Sequence, residues 1–122
     1  MQKYSYFIIA ITINTMLLIK PVNAETHVIT QDQKKFSDIF LKMENNDTIK
    51  FVNLDTVKHR LVFTHKGHQR QLHAIDPGKA QELTLPDSGI YDIQCRHHPE
   101  MKLTVFIPYV AKVTKNMSNY EF

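Results

Sequence analysis

Gly89-Ile90-Tyr91-Asp92-Ile93-Gln94-Cys95-Arg96-His97-His98-Pro99-Glu100-Met101 is the stretch that decides the fold of this chain. Up to Gln94 it alternates apolar and polar residues, the period of a half-buried strand. Lys102-Leu103-Thr104-Val105-Phe106-Ile107 reads as another strand beyond Met101. Between the two strands a short loop carries a thiol, an imidazole and a thioether, Cys95, His98 and Met101.

On the N-terminal side the same period recurs at the start of 48–52 and over 82–85. Residues 28–30, 39–43, 48–52, 61–63 and 82–85 each read as a short strand. Asn45-Asn46-Asp47, Asp76-Pro77-Gly78 and Pro86-Asp87-Ser88-Gly89 supply turn chemistry between them. Residues 64–74, rich in Lys, Arg, Gln and His, read as a long loop or an irregular strand. About seven short strands and no helix predict an all-β, Greek-key β-sandwich with a single domain.

The ends of the chain read differently. Residues 1–24 have the form of a cleavable secretory signal peptide: Lys3, an uncharged apolar stretch over 7–19, then Val22-Asn23-Ala24 before the cut. That stretch is short for a membrane span, which needs about 20 apolar residues. Removing 24 of the 122 residues leaves 98, enough for one core. Residues 25–108 form the predicted domain and 109–122 a C-terminal tail. Lys3 and Lys20 are the leader's only charges, so 13 of the 15 basic residues remain, against 12 acidic ones. A nearly neutral domain without a basic run gives no footprint for nucleic acid. The leader implies export to the periplasm and no stable membrane span after cleavage; a monomer is expected.

The chain has one cysteine, so no internal disulfide is possible. A lone thiol in an oxidising compartment needs protection, and a metal supplies it. His59 follows the 47–54 segment, where a sandwich can bring it beside the Cys95 loop. Two imidazoles and a thiolate with a weak axial thioether are the donor set of an electron-transfer copper site. The predicted metal ligands are therefore His59, Cys95, His98 and Met101, holding one copper ion. His98 is preferred to His97 by its spacing from Cys95 and by the proline after it. Zinc on one Cys and two His is the poorer fit, because it leaves the thioether without a role.

These segments resemble the cupredoxin, or blue copper, family, most closely its amicyanin-like and plastocyanin-like members. The shared features are Cys95-x-x-His98-Pro99-x-Met101, the approach Gly89-Ile90-Tyr91, and Asn46-Asp47-Thr48-Ile49-Lys50-Phe51-Val52-Asn53 ahead of His59. The resemblance runs from about Phe36 to Ile107. It implies a type 1 copper protein that carries single electrons and is not an enzyme, with His98 as the electron's exit. It also implies redox partners: a c-type cytochrome, an amine dehydrogenase or a terminal oxidase. Two positions depart from the family pattern. Arg60 stands where an Asn usually follows the first His ligand, and Arg96-His97 stand where the amicyanin loop has Thr-Pro. With His65, His68 and His73 nearby in sequence, these departures favour the alternative reading, copper binding or delivery without electron transfer. Lys58, Arg60, Lys66, Arg70 and Arg96 would make the copper end basic and attract an acidic partner. His27, close behind the predicted cut, is a further candidate for binding Cu(II) together with a new N-terminal amine.

Overall fold

The structure, a computed structural model, describes residues 23–110. Most of the predicted leader and residues 111–122 of the predicted tail lie outside that range. Nine strands and no helix make up the described residues: β1 Thr26–Asp32, β2 Lys35–Phe36, β3 Phe40–Lys42, β4 Thr48–Asn53, β5 Leu61–His65, β6 His68–Gln71, β7 Ala80–Thr84, β8 Gly89–Cys95 and β9 His98–Ile107. They form two sheets, ordered β2-β1-β4-β7 and β3-β9-β8-β5-β6. The β1/β4 and β3/β9 pairs are parallel and the others antiparallel.

Alternation along each strand builds the core. Ile49 and Phe51 of β4 face inward from the first sheet, with Ile29 of β1. Tyr91, Ile93 and Cys95 of β8 meet them from the second, with Met101, Leu103, Val105 and Ile107 of β9. The intervening side chains are mostly exposed, as a sheet with one wet face requires. Tyr91 also fixes a corner. Its hydroxyl donates to the Asp87 carbonyl at 3.0 Å and accepts the Asp87 N–H at 3.2 Å. This is the tyrosine-corner device of β-sandwiches. Burial holds the Tyr91 hydroxyl above its ordinary pKa.

Two segments differ from the sequence reading. The stretch over 64–74 is an ordered hairpin for most of its length: β5 runs on to His65, and β6 returns from His68. Lys66 (φ 47°) and Gly67 (φ 77°) make the two-residue turn, with the left-handed pair of angles that suits hairpin twist. All four residues of β6 are exposed, so the strand carries no apolar alternation to announce it. The segment from Cys95 to Met101 is likewise a hairpin and not an open loop. Cys95 pairs with His98 across the two-residue turn Arg96-His97.

Asp47 ties the start of β1 to the turn before β4. Its carboxylate accepts the Glu25 N–H, the Glu44 N–H and His27 Nε2, each at 2.9 Å. Burial pushes the Asp47 pKa up, but these hydrogen bonds together bring it below the ordinary 3.8. A lowered folded pKa gives stability that is present above the unfolded value and lost as pH falls through the folded one. Asp47→Ala is therefore expected to destabilise the protein at neutral pH by about 1–2 kcal/mol, the cost of stranding the part-buried Glu25 and Glu44 backbone donors. Urea melts from pH 7 to pH 2 check this: the gap between the two proteins is expected to be constant above about pH 5 and to close below pH 4.

Candidate metal centre

The centre forms at one end of the sandwich, where β1, β4 and β8 finish and β5 and β9 begin. His59 lies just before β5, in a segment with little regular structure, yet it is held from both sides. Its N–H donates to the Ile75 carbonyl at 3.1 Å, and the Ile75 N–H donates back at 2.7 Å. Asn53, fully buried at the end of β4, braces the same segment. Its amide donates to the Val57 and Ile75 carbonyls, both at 2.8 Å, and its oxygen accepts the Asp55 N–H at 2.9 Å.

Cys95 closes β8 and His98 opens β9 across the two-residue turn. The Arg96 N–H donates to the Arg60 carbonyl at 2.8 Å, so backbone joins the two ligand segments where Arg60 stands. The register then jumps: Gln94 pairs with Lys102, whereas Cys95 pairs with His98. Pro99, Glu100 and Met101 are the extra residues of this bulge. Bulges re-aim side chains beside functional sites, and this one leaves Met101 buried at 1% exposure while Pro99 and Glu100 stay in solvent.

The structure brings three of the predicted ligands together. Cys95 Sγ lies 3.6 Å from His59 Nδ1 and 3.4 Å from His98 Nδ1. One donor atom from each residue falls within 4.8 Å of the other two. The imidazoles meet edge to face, with centroids 5.2 Å apart. His59 and Cys95 are fully buried and His98 is half-buried. Met101 is the fourth predicted ligand, and it occupies the inward-facing position of β9 nearest this cluster.

Asp55 was not among the residues singled out from sequence. Its Oδ2 sits 3.1 Å from His59 Nε2, and it accepts the Lys34 N–H at 2.8 Å. The Lys34 hydrogen bond holds the Asp55 pKa below its ordinary value, with the His59 contact adding to the effect against burial. An ionised Asp55 accepts a hydrogen bond from Nε2–H, and that tautomer leaves Nδ1 with its lone pair toward the sulfur. Metal-binding imidazoles are oriented by second partners of this kind. Burial lowers the His98 pKa, and the charges of His59, Lys34 and His97 lower it further. That shift favours the neutral ring, whose lone pair can bind a metal. A thiolate and two imidazoles suit copper chemically, and their nitrogens already converge on the sulfur.

The other histidines behave differently. His65 stacks on Tyr91 with centroids 3.9 Å apart and sets its Nδ1 against the Ile90 carbonyl at 2.9 Å. It also lies over Gly89, where a Cβ would meet its Cε1 at 2.9 Å. Among the described residues, His65, His68 and His73 join no group of metal donors. His27 does join one, with Glu25 and Asp47, at the opposite end of β1 and β4. Of the basic residues expected at the copper end, Lys58 is paired with Asp76 at 3.3 Å and Arg96 donates to Gln71 at 2.8 Å.

No protein-family model matches the sequence, and no curated protein matches it. Solved structures do match. A Cu(I) form of an amicyanin mutant superposes with a TM-score of 0.64 at 22% identity, over 72% of this chain and 87% of that one. Another Cu(I) amicyanin mutant gives 0.63 at 21%, over 68% and 82%. A purple cupredoxin from Nitrosopumilus maritimus gives 0.59 at 18%, over 67% and 99%. With the two-sheet topology, these likenesses establish that the chain has the cupredoxin fold.

Proposed function

We propose that this chain is an exported type 1 copper protein that carries single electrons between redox partners in the periplasm. The observation that carries the reading is the cluster itself: one buried sulfur facing two imidazole Nδ1 atoms at 3.4 and 3.6 Å. His59, Cys95 and His98 would hold the copper, with Met101 as the weak fourth donor. The ion would supply a one-electron couple between Cu(II) and Cu(I). The protein's task is to keep one ligand geometry for both states. Two β strands, the Asn53 brace and the Asp55–His59 contact all oppose movement of the donors. Four protein donors leave no open position for a substrate, which favours a carrier over an enzyme.

His98 is the half-buried member of the set, with Lys34, His97, Pro99 and Glu100 lining the surface beside it. An apolar proline between one cation, Lys34, and one anion, Glu100, suits a partner with an apolar centre and charges of both signs at its rim. A c-type cytochrome, an amine dehydrogenase or a terminal oxidase are the partner classes proposed. Residues 1–24 would direct export and then be removed.

Voltammetry of the copper-loaded protein tests the carrier reading. A reversible one-electron wave, unchanged over repeated cycles, is expected. Loss of copper to a metal-free acceptor or chelator on reduction would contradict it and favour copper delivery.

A further inference from the structure

Gln31 is fully buried, and neither its amide nitrogen nor its carbonyl oxygen has a hydrogen-bond partner among the described residues. An unpaired buried amide is costly, and native structures rarely leave one without a reason. Its position supplies the reason. Gln31 pairs with Asn53 in the β1/β4 register, and its backbone carbonyl accepts the Leu54 N–H at 2.8 Å. It is the last inward-facing side chain of β1, at the end of the sandwich where His59, Cys95 and His98 meet. Asp32, which follows it, is exposed.

The metal cluster has the complementary need. Among the described residues, Cys95 Sγ has two hydrogen-bond contacts, the Nδ1 atoms of His59 and His98. Once both nitrogens turn their lone pairs to a metal, neither has a hydrogen to give, and the thiolate is an anion with no donor. The sulfur is fully buried, so bulk water does not reach it. A buried donor without an acceptor and a buried acceptor without a donor thus lie at the same end of one small core. We propose that in the copper-loaded protein Gln31 is a positioning residue that donates its Nε2–H to the Cys95 thiolate.

The inference rests on the copper reading above. A hydrogen bond to the sulfur draws charge from the thiolate and favours Cu(I) over Cu(II), and hydrogen bonding around this sulfur tunes such sites. Gln31→Leu removes both polar atoms at similar volume. The metal-free variant is expected to melt at a higher temperature than the metal-free parent, because an unpaired amide is gone. The copper-loaded variant is expected to show a lower reduction potential, equivalent to a roughly three- to tenfold loss of preference for Cu(I). Its thiolate-to-copper band is expected to move to longer wavelength. An unchanged or raised potential overturns the proposal, and so does a clearly lower melting temperature of the metal-free variant. That last result would mean that Gln31 already has a partner, such as a buried water, without copper. If the parent protein itself gives no thiolate-to-copper band, it is the copper reading that has failed.

Discussion

Copper is expected to raise the melting temperature of the parent protein by tens of degrees, and Cys95→Ala is expected to abolish nearly all of that rise. The argument is mass action. A ligand that binds only the folded state, present at about 1,000 times its dissociation constant, adds about 4 kcal/mol of stability. In a domain of this size each kcal/mol is worth roughly 4–8 °C. Cys95 supplies the one anionic, soft donor of the cluster, and without it two imidazoles and a thioether hold Cu(II) weakly. The metal-free variant is expected to lose about 1–2 kcal/mol, the cost of removing one buried sulfur from the core. Calorimetry of both proteins, with and without one equivalent of Cu(II), separates the two effects. A Cys95→Ala protein that kept the full copper-dependent rise would show that the metal sits elsewhere, for instance at Glu25, His27 and Asp47.

The second large effect belongs to the core. Phe51→Ala is expected to cost about 3–5 kcal/mol, the range for deleting a buried aromatic ring. Phe51 is completely buried and packs against Phe36 with centroids 5.9 Å apart. A domain of about 100 residues has 5–15 kcal/mol of stability in all, so the loss is a large share. Phe40→Ala is the control. That ring is 57% exposed, and its truncation is expected to cost below about 1 kcal/mol. Urea melts check both, and an unchanged slope with a lower midpoint would assign the loss to the native state. Equal costs for the two variants would contradict the placement of the core.

Much of this structure is legible in the sequence, and the illegible parts have physical reasons. The strands with one buried face, β4, β8 and β9 among them, announce themselves by alternation. β6 has no buried face and β2 is two residues long, so neither leaves a periodic trace. The Lys66-Gly67 pair was the available signal for the β5/β6 hairpin, hidden within a polar run. The ligand types and their spacing pointed to His59, Cys95 and His98 because chemistry restricts which residues can serve. The bulge over Pro99–Met101 depends on the register of β8 with β9, which no local pattern fixes. Asp55 was missed for a similar reason: its contact with His59 depends on the β1/β2 turn, which brings the Lys34 N–H to the same carboxylate oxygen, Oδ2. Gln31 lies just beyond the strand read over 28–30, and only its pairing with Asn53 of β4 extends β1 to include it, facing inward.

The most direct test of the copper site is the visible and EPR spectrum of residues 25–122 after addition of one equivalent of Cu(II). An intense thiolate-to-copper band with narrow copper hyperfine splitting is the result that the His59–Cys95–His98 cluster predicts. A pale spectrum with wide splitting would mean nitrogen and oxygen ligation alone, and would contradict it.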